Sequence, residues 1–252
     1  PDALRQRVVL ALSEILVVSV LGVSTAFRQF AIANYVDILE ENAFGNFRVL
    51  LEQVSLSTAM GYYLTYRGNA KANTNTGSQP DENYARELMQ LFTLGLVQLN
   101  ADGTVRLTNG VTSETYTQND VSGLARVFTG WDIDSAGLNQ PLPAEMHRRP
   151  ISQVSTRHET GSKVFLGTTV PSGVSAIVSL RTALDTLFNH PNHAPFICQQ
   201  LIQRLVTSNP SPAYVARVAA VYVNNGSGVR GDLQSVIRAI LLDTEARSAA
   251  PA

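Results

Sequence analysis

Residues 81–95 read DENYARELMQLFTLG, a stretch in which apolar and polar side chains follow the period of an α-helix. At about 100° per residue, the apolar side chains share one arc of this helix and the polar side chains share the other. Gly95 suits the left-handed backbone conformation that commonly ends a helix. The stretch therefore predicts a helix that packs on a core through one face and carries charges on the other. The apolar face holds Tyr84, Ala85, Leu88, Met89, Leu91 and Phe92, and the polar face holds Glu82, Asn83, Arg86, Glu87 and Gln90.

Similar periodicity recurs on both sides of this helix, in segments that polar loops separate. No alternation of strands and helices is visible, so the sequence predicts a mainly α fold, a single multi-helix globular domain over residues 1–252. We expect a flexible loop at 67–79, an irregular region at 132–173 and a short β-hairpin around Asp102 and Gly103. The other predicted helices are 4–20, 30–41, 44–56, 57–66, 117–130, 174–188, 195–206, 214–223 and 233–242.

The helix after residue 116 carries a clear start signal. Thr117 is a favourable N-cap, and Asp120, three residues later, can accept a bond from the backbone of Thr117 as in a capping box. Gly130 is suited to end the helix before Trp131.

Composition limits the classes of function. The 252 residues are 44% apolar, enough for a sizeable core, and the 19 basic and 20 acidic residues nearly balance. With no run of like charges, nucleic-acid binding is not expected. Only 15% of residues are charged, against about 25% in ordinary soluble domains, and this weakly charged, amide-rich surface is common in exported proteins. The apolar stretch 8–23 contains Glu14 and is shorter than a spanning helix, so we expect a buried helix and no membrane span.

Several familiar motifs are incomplete. Cys198 is the only cysteine, which excludes an internal disulfide and a cysteine-based zinc site. The pattern GxGxxG at 226–231 follows a predicted helix instead of a strand, so a turn is favoured over a dinucleotide site. His190 and His193 are spaced HxxH, but Pro191 separates them at a helix boundary, where packing or capping is the usual role. We expect neither a cofactor nor a metal.

The polar face of helix 81–95 has three interpretations. Glu82 stands four residues before Arg86, the spacing of a solvated ion pair. If the irregular region covers the face, the charges become a buried structural network or a catalytic or binding site. Their expected partners are then Asp120, Arg126, His158 and Lys163.

Seven segments, in order, resemble the bacterial family numbered 1800 among the domains of unknown function. The resemblance implies a helical fold and an exported, extracytoplasmic bacterial protein without an established reaction. It also implies that this chain lacks the N-terminal part of a longer domain. The family pattern has aspartate where this chain has Glu159, and relatives often carry histidine where it has Phe92, which disfavours a metal. The segments are LRQRVVLALSEILVVS (4–19), NAFGNFRVLLEQVSLSTAMGYYL (42–64), DENYARELMQLFTLG (81–95), YTQNDVSGLARVFTGW (116–131), RHETGSKVFLG (157–167), HPNHAPFICQQLIQRLV (190–206) and GVRGDLQSVIRAILLDTEAR (228–247).

The sequence is compatible with two functions. The favoured one is a non-catalytic binding or assembly module with a buried polar network, whose partner is a carbohydrate or an exported protein. Its aromatic recognition surface would come from Tyr62, Tyr63, Tyr66 and Trp131, and its binding residues would be Arg86, Asp120, Arg126, Trp131 and Lys163.

The alternative is a secreted hydrolase of a carbohydrate or an ester. Glu82 and Glu87 would supply its carboxylates, and His158 would act as their acid–base partner. The absence of a standard catalytic signature favours the binding module.

Overall fold

The computed structural model describes residues 2–133, 135 and 142–248, and α-helices dominate them, as predicted. Short 3₁₀ segments occur at Val20–Gly22, Arg126–Phe128 and Ala144–Arg148. The α-helices are α1 (Ala3–Ile15), α2 (Arg28–Glu41), α3 (Phe47–Ser55), α4 (Thr58–Tyr63), α5 (Asn83–Gln90), α6 (Gln118–Ala125), α7 (Ala176–Asn189), α8 (His193–Leu205), α9 (Pro212–Val223), α10 (Leu233–Leu242) and α11 (Thr244–Arg247).

The strands are short and form three antiparallel pairs among the described residues: β1 (Leu107–Thr108) with β2 (Val111–Thr112), β3 (Trp131–Asp132) with β4 (Ser152–Gln153), and β5 (Lys163–Phe165) with β6 (Thr168–Val170).

The short hairpin expected around Asp102 and Gly103 is present as a turn flanked by one antiparallel bridge between Leu99 and Val105, and the backbone N–H of Gly103 donates to the carbonyl of Asn100 at 3.0 Å. A second hairpin, with regular strands, lies a few residues later. Asn109 and Gly110 join β1 to β2 with φ angles of 54° and 78°. Both central residues of this turn therefore adopt the positive φ that Asn-Gly hairpins use.

Helix α5 is shorter than its sequence pattern, because it ends at Gln90. Leu91 follows as the C-cap, with its N–H bonded to the carbonyl of Glu87, and it is 41% exposed instead of buried. The chain then closes a wide turn in which the backbone N–H of Gly95 donates to the carbonyl of Met89 at 3.1 Å. Gly95 has a φ of +76°, the left-handed conformation that the sequence predicts.

The apolar face of α5 packs into the centre of the core. The ring of Tyr84 stacks on that of Tyr66 with centroids 4.2 Å apart and meets the ring of Phe128 edge-on at 4.7 Å. Its hydroxyl is 2.7 Å from the hydroxyl of Ser55 on α3. These contacts join α3, α5 and the segment after α6 in one buried cluster.

The C-terminal helices pack in sequence, α8 on α9 and α9 on α10, while α1 packs on α2 and α8. His193 is buried at the start of α8, where its Nδ1 is 3.0 Å from the carbonyl of Thr93 and its Nε2 is 2.8 Å from the hydroxyl of Tyr222. Burial lowers the pKa of His193 to about 3, so its neutral ring serves packing. The glycine pattern at 226–231 is a turn between α9 and α10, and Cys198 is buried.

The region expected to be irregular, 132–173, contains β4, β5, β6, the second residue of β3 and one 3₁₀ segment, although residues 134 and 136–141 lie outside the described residues. Backbone bonds connect this region, and Trp131 just before it, to the polar loop 67–79: Gly68 donates to Trp131 at 2.7 Å, and Lys71 donates to Arg157 at 2.8 Å. The flexibility of that loop stays a prediction.

No helix within 2–133, 135 and 142–248 combines the length and apolar character that crossing a membrane requires.

Candidate functional site

Helix α6 positions much of the candidate site, and its start is fixed by the predicted capping box. Thr117 accepts a bond from the backbone of Asp120, while a carboxylate oxygen of Asp120 accepts one from the backbone of Thr117 at 2.7 Å. The other carboxylate oxygen accepts the backbone N–H of Leu166 at 2.6 Å. Asp120 therefore ties α6 to the β5–β6 turn and has a structural role.

A glycine allows α6 and β5 to approach closely. A Cβ atom on Gly123 would stand 1.8 Å from the carbonyl oxygen of Val164, which is far inside van der Waals contact. At Gly130, which has a φ of +77°, a Cβ atom would stand 2.7 Å from the backbone nitrogen of His158. The segment 158–165 thus lies directly against α6 and the residues that follow it.

His158 and Lys163 lie in one buried polar group, together with Thr129 and Ser179. The Nδ1 atom of His158 is 2.8 Å from the carbonyl of Thr129, and its Nε2 atom is 3.5 Å from the hydroxyl of Ser179. Lys163 donates to the Ser179 hydroxyl at 3.3 Å and to the Gly161 carbonyl at 3.4 Å. Burial lowers the pKa of both His158 and Lys163, which favours their neutral forms.

Thr129 connects this buried group to the surface. Its hydroxyl donates to the carbonyl of Arg126 at 2.8 Å and accepts the backbone N–H of Glu159 at 2.8 Å. The backbone of Glu159 is thereby held beside Arg126, and their side chains form an ion pair at 3.6 Å.

Glu82 stands immediately before α5 and is held by side chains of α5 and α6. Its carboxylate accepts bonds from Ser122 at 2.6 Å, from Gln118 at 2.8 Å and from Arg86 at 3.2 Å. Arg86 also donates to Gln118 at 3.0 Å. These hydrogen bonds connect α5 to α6 and hold the half-exposed Glu82 carboxylate against the surface of α6.

Glu82, Arg126 and Glu159 line one surface cleft of about 370 Å³, which we call the Glu82 cleft. Hydrogen bonds from Ser122, Gln118 and Arg86 lower the pKa of Glu82. Burial raises the pKa of Glu159, but the Gly161 N–H bond and the charges of Arg126 and Lys163 outweigh it, so the net shift is downward. Both carboxylates are therefore ionised near neutral pH. The remaining lining residues are Ala72, Gln79, Pro80, Ser122 and Ala125.

Other residues predicted for the site lie elsewhere. Glu87 is half-buried and follows Glu82 by five residues, about 140° further around the helix, so it does not line the cleft. Trp131 is buried and its indole N–H points to the carbonyl of Val127 at 3.4 Å. Tyr66 is buried as well, which reduces the expected aromatic surface to the half-buried Tyr62 and Tyr63.

The structure brings Glu82 and Arg126 together, but it places His158 beneath the cleft wall instead of in it. Glu159 takes the position at the cleft that the sequence hypothesis gave to His158. Glu159 directly follows His158 in the sequence, so the prediction chose the right segment but the neighbouring residue. Ser122 carried no such signal, because only the packing of α6 on α5 brings its hydroxyl to Glu82.

Within the described residues, no three His, Cys, Asp or Glu side chains are grouped to hold a metal ion. The cleft offers instead two carboxylates, a guanidinium, a hydroxyl and an amide, a set that can both donate and accept hydrogen bonds.

Comparison with curated proteins and with solved structures finds no match to this chain. Comparison with protein families gives a match over residues 1–252 to the family described as a protein of unknown function (DUF1800), which covers every segment that carries the resemblance. The chain therefore belongs to the DUF1800 family.

Proposed function

We propose that this chain is a binding module for a hydroxylated ligand, with carbohydrate as the favoured class, and that the Glu82 cleft is its binding site. The observation that carries the proposal is the presence of two ionised carboxylates and a guanidinium on the same open cleft. Carboxylates accept bonds from ligand hydroxyls, and Arg126 donates to ligand oxygens.

The carboxylate of Glu159 has capacity left for a ligand. Its Oε1 atom accepts the Gly161 N–H at 2.7 Å, whereas its Oε2 atom is 3.6 Å from Arg126, too far for a strong hydrogen bond. A ligand hydroxyl can therefore bond Oε2 without displacing an existing bond. The concave shape of the cleft also suits a small ligand better than a flat protein partner.

Binding has more support than hydrolysis. General acid catalysis of glycoside cleavage needs a carboxyl group with a raised pKa, so that it holds a proton near neutral pH. The pKa values of Glu82 and Glu159 are instead lowered, and His158 is buried outside the cleft with its Nδ1 atom directed at a backbone carbonyl. The hydrolase alternative through Glu82, Glu87 and His158 is correspondingly less favoured.

We place the module outside the cytoplasm of a bacterial cell. The support is compositional: charged residues make up 15% of the chain, below the average of about 25% for soluble domains. A fractionation experiment on cells that express the full-length protein with a C-terminal tag tests this, and recovery with the cytoplasmic fraction contradicts it.

The binding test is calorimetric titration with neutral, amino-sugar and uronic-acid oligosaccharides, followed by chromatography of each mixture. We expect a neutral or amino-sugar oligosaccharide to bind and to remain uncleaved, whereas the two carboxylates repel uronic acids. Cleaved product supports the hydrolase alternative. The absence of binding across all three classes contradicts the proposal.

Two exposed alanines of the same loop supply a matched pair of variants. Ala72 lines the cleft and Ala70 does not. Ala72→Trp should fill the cleft and weaken binding by about tenfold or more, while Ala70→Trp should leave affinity within about twofold. Equal affinities of the two variants place the ligand elsewhere.

A further inference from the structure

A second cleft, of about 480 Å³, is lined in part by Asp132 and Ile133, directly after Trp131. Arg67 and Asp132 supply its charged side chains, and we call it the Arg67 cleft. Phe27 and Tyr62 form part of its walls, and Thr25 and His147 add polar atoms. The cleft shares no lining residue with the Glu82 cleft.

Both oxygens of the Asp132 carboxylate in this cleft already have partners. One carboxylate oxygen of Asp132 accepts the backbone N–H of Ile133 at 2.8 Å and stands 3.4 Å from Nε of Arg67. The other oxygen accepts a bond from Arg157 at 2.8 Å. Two arginines thus face one aspartate, so this group has a net positive charge.

Two buried nitrogen atoms of the cleft make no hydrogen bond among the described residues. One is the Nε atom of Arg67, which faces a carboxylate oxygen of Asp132 at 3.4 Å as an ion pair without a hydrogen bond. The other is the Nδ1 atom of the buried His147 ring. The Nε2 atom of His147 is 2.7 Å from the hydroxyl of Thr25, and when this hydroxyl donates to Nε2 the ring proton resides on Nδ1. Buried donors without partners cost free energy that a ligand with acceptor atoms can recover.

Two aromatic rings lie beside these donors. The guanidinium of Arg67 lies 4.5 Å from the centroid of the Tyr62 ring, and the Phe27 ring meets the His147 ring edge-on at 5.6 Å. A ligand that bonds Arg67 or His147 would therefore place its adjoining part against apolar ring surface.

We propose that the Arg67 cleft binds a small organic oxyanion, a carboxylate or a phosphate, whose charged head bonds Arg67 and His147 and whose apolar body packs on Phe27 and Tyr62. A guanidinium suits either head group because its N–H donors match two oxygens at once. A neutral ligand would leave the positive charge of the arginine pair uncompensated.

The test is ligand-observed NMR and calorimetric titration of the whole chain with benzoate, phenyl phosphate and, as the neutral comparison, benzyl alcohol. We expect benzoate or phenyl phosphate to bind about tenfold or more tightly than benzyl alcohol. Which of the two anions binds more tightly distinguishes a carboxylate ligand from a phosphate ligand. Failure of both anions to bind, or equal affinity for the neutral alcohol, overturns the proposal.

Arg67→Gln should weaken binding of the anion by about tenfold or more, while Arg181→Gln should change it by less than about twofold, because exposed Arg181 pairs with Glu52 and neither residue lines the cleft. Ala26 is exposed and lines the cleft, so Ala26→Trp blocks it with little risk to the fold. The matched control is Ala101→Trp, at an exposed alanine outside the cleft. If Ala26→Trp binds the anion like the unmodified chain, the proposal is wrong whatever Arg67→Gln shows.

Discussion

The Nζ atom of Lys163 lies 3.3 Å from the hydroxyl oxygen of Ser179, in a part of the core that solvent does not reach. Its other hydrogen bond, to the Gly161 carbonyl, is long at 3.4 Å, and within the described residues no carboxylate approaches Nζ to salt-bridge distance. Burial of an ammonium group costs several kcal/mol, and two long bonds to neutral oxygens return only part of it. We therefore expect the buried ammonium group of Lys163 to destabilise the folded state.

Lys163→Met should leave the free energy of unfolding at neutral pH unchanged or raise it by up to about 2 kcal/mol, since methionine keeps much of the volume without the charge. Urea unfolding measures this. Lys71→Met, at an exposed lysine, is the matched control and should change stability by less than about 0.5 kcal/mol. A loss of more than about 1 kcal/mol in Lys163→Met alone would show that the ammonium contributes net stability.

The lowered pKa of Lys163 also predicts a dependence on alkaline pH. Just below the ordinary lysine value of 10.5, the unfolded chain keeps this proton while the folded chain has begun to lose it. The unfolded state then binds more protons, so Lys163 makes stability rise with pH in this window. Tyrosine side chains also titrate near this pH. Subtracting the unfolding free energy of Lys163→Met from that of the unmodified chain removes their contribution and leaves that of Lys163. We expect the difference to shift in favour of the unmodified chain as pH approaches 10.5, whereas parallel curves contradict the lowered pKa.

At acid pH one contribution to the loss of stability should come from His193, whose pKa burial lowers from 6.5 to about 3. Between these two pH values the unfolded chain binds a proton at this histidine and the folded chain does not. The contribution of His193 to stability is therefore fully present above pH 6.5 and falls as pH decreases towards 3. The slope reaches about 1.4 kcal/mol per pH unit. Urea unfolding of His193→Gln between these pH values should lack this part of the slope. Identical slopes in the two proteins would show that His193 titrates normally.

Gly130 and Gly77 form a natural pair because their φ angles are +77° and +73°. An added Cβ atom meets the backbone of His158 at 2.7 Å in the first case and nothing within 4 Å in the second. Gly77→Ala should cost about 1 kcal/mol of stability through its backbone conformation alone, and Gly130→Ala should cost about 2 kcal/mol more because of the clash. Thermal unfolding compares them. Similar losses would mean that the His158 segment is not packed against Gly130.

Local patterns in the sequence were sufficient to locate α1 to α10 but not all of their ends, since the helix predicted over 4–20 ends at Ile15, and they missed the short α11. Thr117 and Asp120 mark the start of α6 by a bond pattern that needs only neighbouring residues, and Gly95 ends the turn after α5 through its own backbone conformation. The hairpin at Asn109 and Gly110 had an equally local signal, the Asn-Gly pair, although the sequence prediction included only the hairpin around Asp102.

The candidate site could be predicted only in part, because contacts between distant residues build it. Glu82 and Arg126 were visible as charged residues on helices, but the place of Glu159 depends on its bond to Thr129, 30 residues earlier. Helical periodicity has no information about such a contact. The same limit explains Glu87: the sequence places it on the polar face of α5, whereas only the packing of α6 decides which part of that face borders a cleft.

Binding in the Glu82 cleft requires that Glu82 and Glu159, and not Glu87 or His158, contact the ligand. The most direct test is the affinity of Glu82→Gln, Glu159→Gln and Glu87→Gln for the oligosaccharide that the unmodified chain binds most tightly. Loss of a charged hydrogen-bond acceptor costs about 1.5–3 kcal/mol, so the first two variants should bind about tenfold or more weakly, and Glu87→Gln should stay within about twofold. A loss in Glu87→Gln as large as in Glu82→Gln, or unchanged affinity in both cleft variants, would contradict the account.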